Sequence, residues 1–130
     1  MLDFLREAWT RGEDLELDAT VDPEVVVDMT ARVMNPEVYE GRDGLIRFLD
    51  ELRELWEWDG WQVHQVLEGG DEILLVITNE MRGRASGVTF AEPVAQRYRF
   101  RGGRVAWMKL LLDVDAAVAT FLADHRRSSV

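Results

Sequence analysis

From Asp71 to Leu112 the chain is apolar and β-rich over most of its length, broken only by short glycine and charged stretches. Three β-rich segments result, residues 73–82, 87–100 and 105–112, and they predict an antiparallel meander. In the first, Leu75, Ile77, Asn79 and Met81 share one face, and Leu74, Val76, Thr78, Glu80 and Arg82 share the other. Pro93 interrupts the second and predicts a bulge or an edge there. Beyond it Val94, Gln96, Tyr98 and Phe100 point one way, and Ala95, Arg97, Arg99 and Arg101 the other. Gln96 and Asn79 are the polar residues on otherwise apolar rows. The third segment is apolar on both faces, which predicts cover on both sides.

Helical spacing appears three times. Leu2, Leu5, Ala8 and Trp9 predict a short first helix ended by Gly12, with one or two further turns over residues 14–20. Leu45, Phe48, Leu49, Leu52, Leu55 and Trp56 form an unbroken stripe, the strongest helix signal in the chain. Val114, Ala117, Val118, Phe121 and Leu122 predict a last helix capped by Asp113 or Asp115. Between these lie a strand over residues 25–33, whose β-branched run is short and poor in helix formers, and another over residues 61–67. Asp28, Thr30 and Arg32 make one face of the former polar. Residues 1–124 read as one domain and 125–130 as a frayed tail, so His125 is set aside.

Composition agrees with one domain. A chain of 130 residues with 47% hydrophobic content buries about two-thirds of its unfolded surface. The absence of cysteine excludes disulfides and thiolate chemistry. No apolar run reaches the roughly 18 residues of a membrane span, and no basic-then-apolar leader opens the chain, so a cytoplasmic protein without membrane association is expected. The net charge of −10 disfavours nucleic acid. Yet Arg82, Arg84, Arg97, Arg99, Arg101 and Arg104 share their stretch with one acid, Glu92. This arginine strip is either a solvated face or a contact for an anion or partner. His64 has no second histidine or carboxylate at metal spacing and reads as a structural histidine. No metal or cofactor is expected.

The order of elements defines an α+β fold. Asp22-Pro23-Glu24-Val25-Val26-Val27-Asp28, Tyr39-Glu40-Gly41-Arg42-Asp43-Gly44, Gly69-Gly70-Asp71-Glu72-Ile73 and Gly102-Gly103-Arg104-Val105 resemble landmarks of SnoaL-like proteins in the nuclear-transport-factor-2-like superfamily. The resemblance covers nearly the whole chain. It implies a cone in which a curved, mostly antiparallel sheet wraps the N-terminal and central helices around an apolar pocket.

Members of that superfamily include ketosteroid isomerases, polyketide cyclases, dehydratases and epoxide hydrolases, so the fold does not decide the chemistry. The resemblance to ketosteroid isomerases places Asp28 at the general-base position, Leu5 at the position of the oxyanion tyrosine, and Gln96 at that of the protonated aspartic acid. A glutamine amide can still donate to an oxyanion. The Arg-x-Asp pair of limonene epoxide hydrolases falls on Asn79 and Met81, so that route to water activation is missing.

Three readings therefore stand side by side. One is binding of a small apolar molecule in a pocket lined by Leu75, Ile77, Asn79, Met81, Gln96, Tyr98 and Met108, with Asp28 near its mouth. Another is an isomerase, cyclase or dehydratase acting on a polyketide- or steroid-like substrate, with Asp28 as base and Gln96 as donor. The third is a dimeric interaction module with a vestigial pocket. Leu74, Val76, Val105, Trp107 and Leu111, on the face opposite the pocket, predict a homodimer contact because no segment is left to cover them.

Overall fold

A computed structural model describes residues 20–126 of the chain. Among them the elements run β1 (Val21–Asp28), β2 (Val38–Glu40), α1 (Gly41–Leu55), β3 (Trp56–Gly69), β4 (Glu72–Gly83), β5 (Thr89–Phe90), β6 (Pro93–Arg101), β7 (Arg104–Leu111) and α2 (Val114–His125). The expected first helix, including Leu5, lies outside the described residues. All strands join one curved, unclosed sheet in the order β2-β1-β7-β6-β4-β3, with β5 pairing to β4. Only β1 and β7 run parallel; the meander from β3 to β7 is antiparallel as the alternation predicts. The α+β cone follows, with α1 held on its inner face.

Boundaries shift where side chains compete for the backbone. The first strand begins at Val21 and stops at Asp28, not at residue 33. The Asp28 carboxylate accepts from the Thr30 amide at 3.0 Å and from its hydroxyl at 2.6 Å, closing a turn that ends the ladder. Val33 is consequently 91% exposed. Helix α1 ends at Leu55 and β3 starts at once, so Trp56 and Trp58 belong to the sheet. Pro93 splits the second meander segment into β5 and β6, as its missing donor requires.

On the inner face Val27, Tyr39, Phe48, Leu49, Leu75, Ile77, Tyr98 and Met108 belong to one buried cluster. Tyr39 and Phe48 bring their ring centroids to 5.2 Å. The approach of α1 to β2 is close enough to favour glycine at position 44, where a Cβ would lie 3.2 Å from the Tyr39 carbonyl carbon. The Tyr39 hydroxyl donates to Glu51 at 2.6 Å and accepts from Arg32 at 3.0 Å, so the loop after β1 is tied to α1.

The opposite face corrects the expected dimer patch. Helix α2 crosses it and forms a second cluster in which Leu74, Ala95, Ala117 and Phe121 are buried and Leu111 packs alongside. Val105 is not on that face at all. The β6–β7 register skips Ala106, which bulges, so Val105 pairs with Phe100 and joins the inner cluster while Trp107 stays outside opposite Arg99. Leu74 is 0% exposed beneath α2, so the segment thought to be missing over it is α2 itself; Val76 and Val105 are also buried, at 5% and 6%. The Asp113 carboxylate caps this helix, accepting from the Ala116 amide at 3.1 Å. The helix runs on through His125, whose place in the fold is therefore structural.

Candidate functional site

Between α1 and the β3–β4 ladder lies a cavity of about 250 Å³. The stripe that makes α1 amphipathic supplies Leu49 and Leu52, and the paired strands supply Trp56, Trp58 and Met81. Arg53 and Arg84 complete the lining. Their side chains are well exposed, and each has an acid close by: Asp50 lies 2.9 Å from Arg53 and Glu57 lies 3.3 Å from Arg84. Arg84 also donates to the Arg53 carbonyl at 2.5 Å, lacing the end of α1 to the end of β4. The site has apolar walls and two ion-paired arginines at its mouth.

Of the residues expected to line it, Met81 alone does so. Leu75, Ile77, Tyr98 and Met108 are packed core instead. Gln96 is also buried there, and its Oε1 accepts from the Tyr98 hydroxyl at 2.6 Å. Burial pushes the Tyr98 hydroxyl far above its usual pKa, so it stays a neutral donor. Asn79 is 7% exposed, and its Oδ1 has no hydrogen-bond partner. It sits opposite Trp61 in the ladder, and the buried indole Nε1 of Trp61 is unpartnered as well. This polar pair is the next inner-face step after Trp58 and Met81.

Asp28 lies elsewhere. Val27 pairs with Tyr39 and Met108 on the inner face, so Asp28, one residue on, projects to the outer face beside Lys109, 4.0 Å away. Burial tends to raise its pKa, but the two hydrogen bonds from Thr30 and the charge of Lys109 outweigh that and hold it below the usual carboxylate range. Asp28 and Gln96 are thus on opposite sides of the sheet. We predict that Asp28→Asn costs about 1 kcal/mol in chemical denaturation and leaves any guest affinity within twofold. A tenfold loss of affinity would put the carboxylate in the site after all. His64 is exposed on β3 and bonds Thr78 Oγ1 at 2.7 Å, a surface contact and not a core one.

The arginine strip is used internally. Arg82 bonds Glu57 at 2.5 Å and Arg101 bonds Asp22 at 3.0 Å. Arg97 and Arg99 converge on Glu72, at 2.6 and 3.1 Å, and His125 Nε2 meets the same carboxylate at 2.8 Å. Glu72 is only 6% exposed. In sequence it is one more acid beside a glycine turn, with nothing to mark it as the hub. Among the described residues no group of His, Asp and Glu could hold a metal, and no helix is long and apolar enough to cross a membrane.

A curved, open sheet closed over one amphipathic helix, with an apolar cavity at the end of that helix, is the cone of the nuclear-transport-factor-2-like class. The chain belongs to the family of SnoaL-like domains, whose model matches residues 2–108. A nuclear-transport-factor-2-like protein from Burkholderia xenovorans superposes with a TM-score of 0.73 at 16% identity, covering 91% of this chain and 92% of that one. A protein with a ketosteroid isomerase-like fold from Catenulispora acidiphila, solved with trimethylamine, gives 0.71 at 15% identity, over 84% and 82%. An epoxide hydrolase of the limonene-hydrolase-like type from Mycobacterium tuberculosis gives 0.63 at 15%, over 86% and 78%. At these identities the likeness is one of fold. Among curated proteins nothing matches.

Proposed function

We propose that this SnoaL-like protein binds one small, predominantly apolar molecule in the cavity between α1 and the β3–β4 ladder. The observation that carries this reading is the cavity itself, a cleft of about 250 Å³ open on one side, whose five apolar side chains come from three separate elements. A relative in fold was solved with trimethylamine. Trimethylamine is protonated near neutral pH, and the lining here holds no carboxylate to pair with such a cation. A neutral guest suits this lining better.

The test is to purify the protein under mild conditions and examine it by native mass spectrometry, beside a variant, Leu52→Trp, that fills the cavity from α1. A guest of small mass retained by the wild type and absent from a folded Leu52→Trp protein is the expected result. Equal retention by both, or no uptake of any neutral aromatic probe by calorimetry at millimolar concentration, would refute cavity binding.

A further inference from the structure

We infer that this cleft prefers an aromatic ring to a saturated one of the same size, with Trp56 and Trp58 as its walls and Phe90 holding Trp56 in place. This inference rests on the binding reading above and adds the chemical class of the guest. Seven side chains line the cleft, and five of them, Arg53, Trp56, Trp58, Met81 and Arg84, carry an indole, a thioether or a guanidinium. Each of those groups attracts an aromatic ring beyond what burial gives. An indole meets its positive edge or negative face, a thioether sulfur settles at its edge, and a guanidinium stacks on its face. To a saturated ring they offer burial alone, as Leu49 and Leu52 do to either.

The aromatic wall is separate from the core and is held from behind. Trp56, Trp58 and Met81 belong to neither buried cluster, whereas Leu75 and Ile77, further along the same face of β4, do. In the β3–β4 ladder Trp56 stands opposite Gly83, and a Cβ built on that glycine would lie 3.7 Å from Trp56 Cζ3, so the indole lies across the glycine. On the other side of β4, Phe90 is the register partner of Met81. Its ring centroid is 6.5 Å from that of Trp56 with the planes tilted by 57°, within the range of edge-to-face pairs. Phe90 does not line the cleft and is 39% exposed, so its contact with the site runs through Trp56.

The size of the cleft agrees with one ring. A closed apolar cavity of about 150 Å³ is enough for benzene, and the larger volume here leaves room for a short substituent reaching toward the open side. The arginines at the mouth do not call for charge on the guest, since Asp50 and Glu57 pair with them. Arg84 is further fixed by its bond to the Arg53 carbonyl, which makes its guanidinium part of the wall. A neutral, substituted benzene is therefore the class of guest that fits.

The experiment compares benzyl alcohol with cyclohexylmethanol, which share a six-membered ring and a hydroxymethyl group and differ in whether the ring is aromatic. Both are titrated calorimetrically into the wild type, Trp56→Leu, Trp58→Leu, Phe90→Leu, Phe90→Tyr and Leu52→Trp. The saturated alcohol is the more hydrophobic, so burial alone would place it first. Each aromatic, sulfur or guanidinium contact adds about twofold to tenfold for the aromatic ring. Benzyl alcohol is therefore expected to bind the wild type more tightly, by about fivefold. Trp56→Leu and Trp58→Leu should each lower that preference by about threefold. Phe90→Leu should lower it too and Phe90→Tyr keep it, while cyclohexylmethanol binds both Phe90 variants as it binds the wild type. If benzyl alcohol binds the wild type no more tightly than cyclohexylmethanol and Leu52→Trp blocks both, the cavity reading stands and the aromatic preference is wrong. An unchanged preference in Phe90→Leu would remove Phe90 from the site. If neither alcohol binds the wild type at millimolar concentration, both readings fall together.

Discussion

Replacing Glu72 by alanine is expected to lower the unfolding free energy by about 3 kcal/mol, the low end of what removing one partner of a buried ion cluster costs. Glu72 is 6% exposed and carries Arg97, Arg99 and His125 on its two oxygens. Without it the Arg97 guanidinium, itself largely buried, retains Asp124 at 2.9 Å as its one ion partner among the described residues. Urea titration at pH 7 measures the loss, and a value below about 1 kcal/mol would mean the cluster behaves like an ordinary surface network.

The same group sets a pH dependence. Burial pushes the Glu72 carboxyl up, but hydrogen bonds from Arg97, His125 and Arg99 outweigh it and hold its pKa below the usual value of 4.5. A carboxyl whose pKa is lower in the folded protein binds its proton more weakly there than in the unfolded chain. Its stabilisation is therefore complete above about pH 4.5 and is lost as the pH falls through the lower, folded value. Glu72→Gln should flatten this acid limb of the stability profile.

Phe121→Ala is expected to cost about 3–4 kcal/mol, because a fully buried aromatic ring leaves a cavity that its neighbours fill only in part. Phe121 is 1% exposed and packs with Leu74 and Ala95, so its loss loosens α2 from the outer face. Arg97 lies over its ring at 5.0 Å, and the ring of His125 is 4.4 Å away. The double variant with Glu72→Ala should therefore fall short of additivity, since one helix docking serves both sets of contacts. Binding of a hydrophobic dye to newly exposed Leu74 and Ala95 gives an independent readout. Full additivity with no dye signal would show that α2 stays docked without either anchor.

Most of the secondary structure is written in local pattern. The meander, the stripe of α1 and the interruption at Pro93 all follow from periodicity and backbone chemistry, and so does the polarity of Asn79 and Gln96 on apolar rows. Strand ends are less legible, because Asp28 closes a turn with Thr30 that competes with the alternation of residues 25–33. The candidate site is legible only in pieces. Periodicity assigns Asn79 and Met81 to the inner face, but which inner residues touch a void depends on where α1 stops, and that decides that Leu52, Trp56 and Trp58 line it while Leu75 and Tyr98 are core.

What the sequence by itself determined is which side chains share a face within an unbroken strand or helix, and with them the α+β cone and its family. Those properties come from backbone periods of 2 and 3.6 residues, which act over a few neighbours. What only the tertiary structure decided is which faces meet. The parallel pairing of β1 with β7 puts Asp28 outside, the bulge at Ala106 turns Val105 inward, and α2 occupies the face that looked bare. Each depends on contacts between residues far apart in the chain, and no local period encodes them. The pairing of Trp61 with Asn79 is of that kind, set by the register shift between Val63 and Gln65 in the β3–β4 ladder, which moves the opposing pairs beyond it.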